Sequence, residues 1–226
     1  MKITYKSFFK ELANAITEEV DAVHQPPAVK QSGKYTQDFI VYMKKVENEQ
    51  KAGYISKTDL WFPYKSLEKG TNKTIAWGHR LTDSEMANNT FVRGLTTKEA
   101  NQLLIKDLDE AKEKVFRYHE RWKRKYIENL QKAAIDNPNS SSSKFAMNLK
   151  PTDPMFKLTQ KQLEMVVEYA FNTGGLTKFP KFSDAVFRKD WATAIKEHKR
   201  TYTDNNGIKH ELSRNKYFYE WAFSQV

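Results

Sequence analysis

The sequence predicts an α+β protein that is mostly helical, with a small β-hairpin lobe, a cleft between its lobes and a helical arm at the N-terminus. Three observations favour this fold class. Apolar residues recur at three- and four-residue spacing over most of the chain, which is typical of helices. Between residues 51 and 80, glycines and prolines separate short β-like runs. Beyond residue 95, two Thr-x-x-Glu/Gln capping boxes mark the starts of further helices.

Composition excludes several classes of protein. The 226 residues include 14 Phe, 11 Tyr and 5 Trp, which suffice for a sizeable core. No apolar run is long enough for a membrane span, and the N-terminus lacks the apolar segment of a secretory signal. The absence of cysteine excludes disulfides and thiolate ligands, and the five histidines lack metal-ligand spacing with acidic residues. We therefore expect no metal and no other cofactor.

The net charge of +10 favours a polyanionic partner such as nucleic acid, anionic lipid or the bacterial wall. The densest basic stretch runs from Lys112 to Lys125. We interpret it as the solvated face of a long helix, with electrostatic docking to a polyanion as the alternative. No signature of a nucleic-acid module accompanies it, so nucleic acid is not the expected partner.

The first 36 residues are predicted to form an arm, and residues 37–226 the main domain. An amphipathic helix is expected over residues 7–24, ended by Pro26-Pro27 and followed by a polar linker. A second helical pattern covers residues 37–50, with apolar Phe39, Ile40 and Met43 on one face. Residues 51–80 are then expected to form a region of loops and hairpins.

Helices dominate the remainder of the chain. The box formed by Thr96 and Glu99 begins a helix that continues past Lys125, and a loop is expected from residue 137 to residue 154. The box formed by Thr159 and Gln162 begins an apolar helix that ends at Gly174-Gly175. Shorter helices are predicted around residues 183–189, 191–199 and 214–223.

Glu47 lies at the end of the second predicted helix, and the sequence Thr74-Ile-Ala-Trp-Gly-His79 follows downstream. Hydrolysis of a glycosidic bond needs a carboxylic acid whose pKa is raised by apolar surroundings. The negative end of a helix dipole also disfavours ionised glutamate. A glutamate at a helix end is, taken alone, more often a plain surface residue.

Five segments in order resemble the bacteriophage lysozyme family of the T-even type. They are the helix ending at Glu47, the hairpin that leads to Gly78-His79, the Leu95-Thr96-x-x-Glu99-Ala100 helix start, the helix that ends in Phe171-Asn172-Thr173-Gly174, and Leu212-Ser213-Arg214-Asn215 through Glu220. The similarity spans about residues 37 to 223. It implies a lysozyme-like fold and a glycosidase that acts on bacterial peptidoglycan.

The resemblance also implies roles for individual residues. Glu47 corresponds to the general acid, and Thr74 to a threonine that helps hold the nucleophilic water. His79 corresponds to a histidine near the cleft, which usually has a structural contact with a carboxylate. Asn172 corresponds to an amide that contacts the substrate, and a helix C-cap is the alternative interpretation.

This chain departs from the family pattern at the second catalytic residue. Ser66 stands where the family has aspartate in Tyr-x-Asp. Glu68 is the first candidate to supply the missing carboxylate, and Asp59 is a poorer one. Glu49 competes with Glu47 as the acid, although it does not align with the family motif. In addition, Asn48 replaces the usual glycine after the acid.

The sequence thus predicts a phage-encoded muramidase that cleaves the glycan strands of peptidoglycan. Without an export signal, it is expected either in the host cytoplasm until lysis or in the virion, where the N-terminal arm would dock on virion or tail proteins. Three alternatives stay open: a single-glutamate lytic transglycosylase, a non-catalytic virion component with a lysozyme fold, and a basic helical nucleic-acid binder.

Overall fold

Eight α-helices and eight short strands form the described part of a computed structural model, which comprises residues 35–65, 73–136, 138, 140–203 and 207–224. The protein is α+β and mostly helical, as predicted. The predicted helix over residues 7–24 and its linker through Gly33 lie outside the described residues. Tyr35 and Thr36, which follow the linker, pack on the folded domain through Asp109 and Glu164.

Helix α1, Gln37–Asn48, begins at Thr36, whose hydroxyl accepts a hydrogen bond from the Phe39 amide. Its buried face carries Phe39, Tyr42 and Met43, and burying each such side chain contributes about 1.5–3 kcal/mol. These residues pack α1 against the C-terminal helix. The predicted amphipathic pattern is therefore confirmed, and Glu47 lies in the last turn.

Two small antiparallel sheets follow α1. The first consists of β1 (Tyr54–Ile55), β2 (Leu60–Trp61) and β6 (Leu95–Thr96) in that order. The second consists of β3 (Tyr64–Lys65), β4 (Lys73–Ile75) and β5 (His79–Arg80), with a short helix α2, Asp83–Ala87, after it. The prediction of hairpins is confirmed for residues 51–65 and 73–80.

The long helix α3, Thr97–Ile135, connects the sheets to the helical lobe. The capping box at its start is present, with the Thr96 hydroxyl and the Glu99 carboxylate each accepting a backbone N–H. Its first turns contact β2, β5 and β6, and it also packs against α4 (Ser141–Asn148) and α5 (Gln160–Thr173). No helix in the described ranges is long and apolar enough to cross a membrane.

The helical lobe is built around α5, which is buried on nearly all sides. Its capping box at Thr159 and its left-handed end at Gly174 agree with the prediction. Helices α6 (Pro180–Phe187), α7 (Trp191–Glu197) and α8 (Arg214–Phe223) surround it. Tyr169 stacks on Phe182 with 4.0 Å between ring centroids and meets the edge of Phe218 at 5.1 Å.

One prediction in this region is wrong, and one pair of strands was not predicted. Residues 140–143 were expected in a loop, but Ser140 caps α4 by accepting a hydrogen bond from the Ser143 amide. No element was predicted for the stretch between α7 and α8. It forms instead an antiparallel pair, β7 (Thr201–Thr203) with β8 (Lys209–Glu211).

Candidate active site

Glu47 is held in a largely buried position at the end of α1. Its side chain is 12% exposed and contacts the turn between β4 and β5. A Cβ built on Gly78 would lie 2.5 Å from Glu47 Oε2, so only glycine admits the carboxylate at this distance. Gly78 also has φ +83°, which disfavours other residues. The two parts of the sequence motif, the helix-end glutamate and Trp-Gly-His, therefore meet in space.

Asn48 fixes the end of α1 to the same turn. Its Nδ2 donates to the carbonyls of Ala52 at 3.0 Å and Ala76 at 2.9 Å, and its Oδ1 accepts from the Ala52 amide at 2.8 Å. A glycine could make none of these side-chain bonds. Asn48 therefore holds the turn that contacts Glu47.

Arg214, the first residue of α8, forms an ion pair with Glu47 through its Nη2. Burial nevertheless raises the pKa of Glu47, and it outweighs the lowering by the Arg214 guanidinium. The negative charge of Glu168 adds to the increase, whereas Arg200 opposes it. Glu47 thus has the property that a general acid requires, a carboxyl with a strengthened hold on its proton.

A second, fully buried carboxylate lies behind Arg214. Glu168 on α5 accepts hydrogen bonds from Arg214 Nε at 2.7 Å and from Arg200 Nη1 at 2.8 and 2.9 Å. The Tyr42 hydroxyl donates to the same carboxylate at 3.1 Å. Glu47, Arg214, Glu168 and Arg200 therefore form one connected chain of alternating charge, which we call the buried charge chain.

Thr74 lies on the central strand of the second sheet and is buried. It pairs in register with Tyr64 on one side and with Arg80 on the other. Burial and, to a smaller extent, the negative charge of Glu47 raise the pKa of Tyr64. The strand of Thr74 leads into the turn at Gly78, which lies against the Glu47 carboxylate.

His79 is engaged by carboxylates on both ring nitrogens. Its Nδ1 lies 2.8 Å from Asp107 on α3, and its Nε2 lies 3.2 Å from Glu85 on α2. Burial opposes the imidazolium, but Asp107 and Glu85 outweigh it and raise the pKa of His79. These contacts are structural, because they fasten the second sheet to two helices.

Asn172 lies inside α5, and Gly174 is the C-cap, so the alternative of a capping role for Asn172 is wrong. Its Oδ1 is 3.4 Å from Arg200 Nη1, at the end of the buried charge chain. The side chain is half-buried. It therefore lies near the network that ends at Glu47 and keeps some surface for a ligand.

The sequence offered several candidates for a second catalytic carboxylate or an alternative acid, and the structure describes two of them. Ser66 and Glu68 lie outside the described residues. Asp59 accepts hydrogen bonds from the hydroxyls of Tyr54 and Thr97, and the bond from Thr97 chiefly lowers its pKa. Its contacts tie the first sheet to the start of α3. Glu49 is exposed at the C-cap of α1 and lacks the apolar surroundings of Glu47.

Sequence reasoning assigned no role to Arg200, Arg214 or Glu168. Arg214 was recognised only as part of the closing helix motif. A signal for Glu168 was present, because Glu164 and Glu168 interrupt an otherwise apolar run at i, i+4 spacing and must be buried with it. Buried carboxylates need cationic or hydrogen-bonding partners. The pattern therefore predicts that Glu168 has a cationic or hydrogen-bonding partner, but it does not identify Arg200 or Arg214 as that partner.

Two shallow surface grooves, of about 600 and 530 Å³, follow the first half of α3 and do not include Glu47. Over the described ranges, no cluster of three or more histidine or carboxylate side chains is arranged to hold a metal ion.

Protein-family models, curated proteins and solved structures were compared with the chain, and none of the three comparisons found a match.

Proposed function

We propose that the protein is a lysozyme of the bacteriophage type, a muramidase that hydrolyses the β-1,4 glycosidic bonds of bacterial peptidoglycan. The observation that carries the proposal is the environment of Glu47, a carboxyl whose pKa is raised by burial against Gly78 while 12% of its side chain stays exposed. A general acid must hold its proton at the working pH and must also reach the leaving oxygen. The raised pKa of Glu47 favours the first condition, and its partial exposure favours the second.

In this mechanism, protonated Glu47 gives its proton to the glycosidic oxygen as the bond to the anomeric carbon breaks. The positive charge that develops on the sugar is stabilised by the carboxylate that remains. Arg214, already paired with Glu47, stabilises the new negative charge on that carboxylate. A water held by Thr74 completes the hydrolysis, with Glu68 as the base that activates it.

A lytic transglycosylase is the second candidate, and one observation favours it. Within the described residues, the carboxylate that shares Arg214 with Glu47 is Glu168, which is fully buried and ion-paired and so cannot serve as a base for water. Ser66 replaces the aspartate of the family. A single glutamate suffices where a hydroxyl of the substrate itself attacks the anomeric carbon, because the same carboxylate acts first as acid and then as base.

Two settings suit such an enzyme. It waits in the host cytoplasm and reaches the wall at lysis, or it rides in the virion and opens the wall during entry. In the second setting, the N-terminal arm would contact phage virion or tail proteins. The net charge of +10 supports adhesion to an anionic wall in both settings.

Digestion of purified peptidoglycan, analysed by mass spectrometry, tests the proposal. We expect Glu47→Gln to reduce glycan cleavage by about 10²- to 10⁴-fold, the usual contribution of general acid–base catalysis. Glu49→Gln, two residues away and exposed, is the matched control and should retain activity. Glu68→Gln distinguishes the two mechanisms. If the wild type gives products with reducing ends and this variant loses them, the enzyme is a hydrolase. If the products have anhydro ends and persist in this variant, the enzyme is a transglycosylase.

Absence of any product from the folded wild-type protein would contradict both enzymatic proposals. A non-catalytic virion component with this fold would then be the better interpretation. Equal losses in Glu47→Gln and Glu49→Gln would instead contradict the assignment of Glu47 as the acid.

A further inference from the structure

The buried charge chain raises a question about the acid. A guanidinium paired with a carboxylate stabilises the ionised form. If Arg214 were paired with Glu47 alone, it would favour the form that cannot donate a proton. If Glu47 is to donate a proton, another group in the site must weaken the stabilisation of its ionised form by Arg214.

We propose that Glu168 is a positioning residue for Glu47: it binds Arg214 from the other side and so keeps this guanidinium from fixing Glu47 in its ionised form. The inference rests on the proposed role of Glu47 as a general acid. Glu168 touches neither the substrate nor the reacting atoms in this scheme. It acts only through Arg214.

The geometry shows how the Arg214 guanidinium is shared between Glu168 and Glu47. Its Nε lies 2.7 Å from Glu168 Oε1, and its Nη2 contacts Glu47 Oε1, so the two carboxylates use different nitrogens of one guanidinium. Both carboxylates cannot be neutralised fully by a single positive charge. Glu168 needs the positive charge of Arg214 more than Glu47 does, because Glu168 is 0% exposed and cannot be solvated by water.

Arg200 is the second positive charge of the buried charge chain. It donates to both oxygens of Glu168, and its side chain is 1% exposed. Its guanidinium also lies over the ring of Tyr169, 4.4 Å from the centroid, and over Phe218 at 5.3 Å. With Glu47 ionised, the chain holds two carboxylates and two guanidiniums and has no net charge.

Other titratable groups face the two carboxylates from the neighbouring elements. Those around Glu47 and Glu168 are Tyr42 on α1, Tyr64 on β3, Tyr169 on α5, Arg200 before β7 and Arg214 on α8. Burial raises the pKa of each of these three tyrosines, so they stay neutral. The charges that act on Glu47 are therefore those of Arg214, Glu168 and Arg200.

Two substitutions test the inference because they should move Glu47 in opposite directions. Glu168→Gln removes a negative charge and leaves Arg214 to Glu47, so the titration midpoint of Glu47 should move to lower pH. Arg200→Met removes a positive charge and gives Glu168 a greater share of Arg214, so the midpoint should move to higher pH. Nuclear magnetic resonance of ¹³C-labelled glutamate carboxyls measures both midpoints without any assay of activity.

Glu168→Gln leaves the positive charges of two buried arginines without a buried carboxylate, so this variant could fail to fold. A third variant keeps the inference testable in that case. The double variant Glu168→Gln/Arg200→Met removes one charge of each sign. Compared with Arg200→Met alone, it should return the Glu47 midpoint to lower pH. The alkaline limb of the pH–activity profile should shift in the same order as the three midpoints.

A Glu47 midpoint that is unchanged in the folded variants, or that moves the same way in both single variants, would overturn the inference and leave Glu168 a purely structural residue. Failure of the proposed function gives a different result. In that case wild-type protein cleaves no peptidoglycan, yet the opposite shifts of the Glu47 titration are still observed.

Discussion

At the scale of single residues, the site depends on a position where a side chain has no room. Gly78 has a left-handed backbone, and the place of its missing Cβ is next to the Glu47 carboxylate. Two independent requirements thus converge on one glycine. A larger residue would have to strain the backbone and also displace the Glu47 carboxylate.

We predict that Gly78→Ala both destabilises the protein and abolishes glycan cleavage. Backbone strain alone should cost about 1–2 kcal/mol, and the contact with Glu47 should add to it. Urea unfolding and peptidoglycan digestion measure the two effects. Gly174→Ala is the matched control, because Gly174 has nearly the same φ, +79°, but nothing within 4 Å of the added Cβ. Equal destabilisation by the two substitutions would contradict the steric argument.

At the scale of elements, local signals predicted the helices well. The capping boxes at Thr96 and Thr159, together with Gly174, placed two helix starts and one helix end, because each signal acts within four residues of the chain. The same logic was available for Ser140, which caps α4, but a run of serines also suits a loop. The β7–β8 pair was missed because its strands have only three residues each, too few to show alternation.

The candidate site was only partly predictable for a similar reason. Glu47 and Gly78 are separated by 31 positions, and they were connected through a resemblance rather than through local chemistry. Arg214 Nη2 reaches Glu47 from the opposite end of the chain, at a sequence separation of 167 residues. No periodicity in one sequence indicates such a pair. Packing of α1 against α8 is what brings the two together.

The contact between α3 and α6 contains an unusual histidine. His119 packs against Phe187 with 4.5 Å between ring centroids, and its buried Nε2 has no hydrogen-bond partner among the residues that the structure describes. Burial, with a contribution from Lys123, lowers the pKa of His119 to about 4. Because the unfolded state binds the proton more readily, the free energy of unfolding should fall as the pH decreases from about 6.5 to 4, by about 3 kcal/mol from this group alone.

We therefore predict that His119→Leu stabilises the protein, and more at pH 4.5 than at pH 7.5. At the higher pH the gain comes only from removing an unpaired buried nitrogen, which should contribute about 1–3 kcal/mol. At the lower pH the variant also escapes the protonation penalty. Urea unfolding at the two pH values measures the difference, and the same gain at both would show that His119 is not held neutral by the fold.

At the scale of the whole molecule, the positive charge is distributed unevenly. Four exposed cations on α3 follow a spacing of 3, 4 and 4 residues and so share one helix face; they are Lys114, Arg117, Arg121 and Lys125. We call them the α3 basic face. The interpretation of this stretch as a solvated helix face agrees with its exposure. An exposed row of like charges is also suited to hold an anionic polymer.

We predict that replacing the α3 basic face by glutamine weakens binding to purified anionic cell walls at low salt. The matched control replaces four exposed lysines that lie outside this face, which are Lys57, Lys98, Lys181 and Lys196. Both variants carry a net charge of +6 instead of +10. If the face itself docks on the wall, only the first variant should lose affinity, and the loss should vanish as salt shortens the Debye length to about 3 Å at 1 M. Equal losses in a wall-pelleting assay would mean that net charge alone drives adhesion.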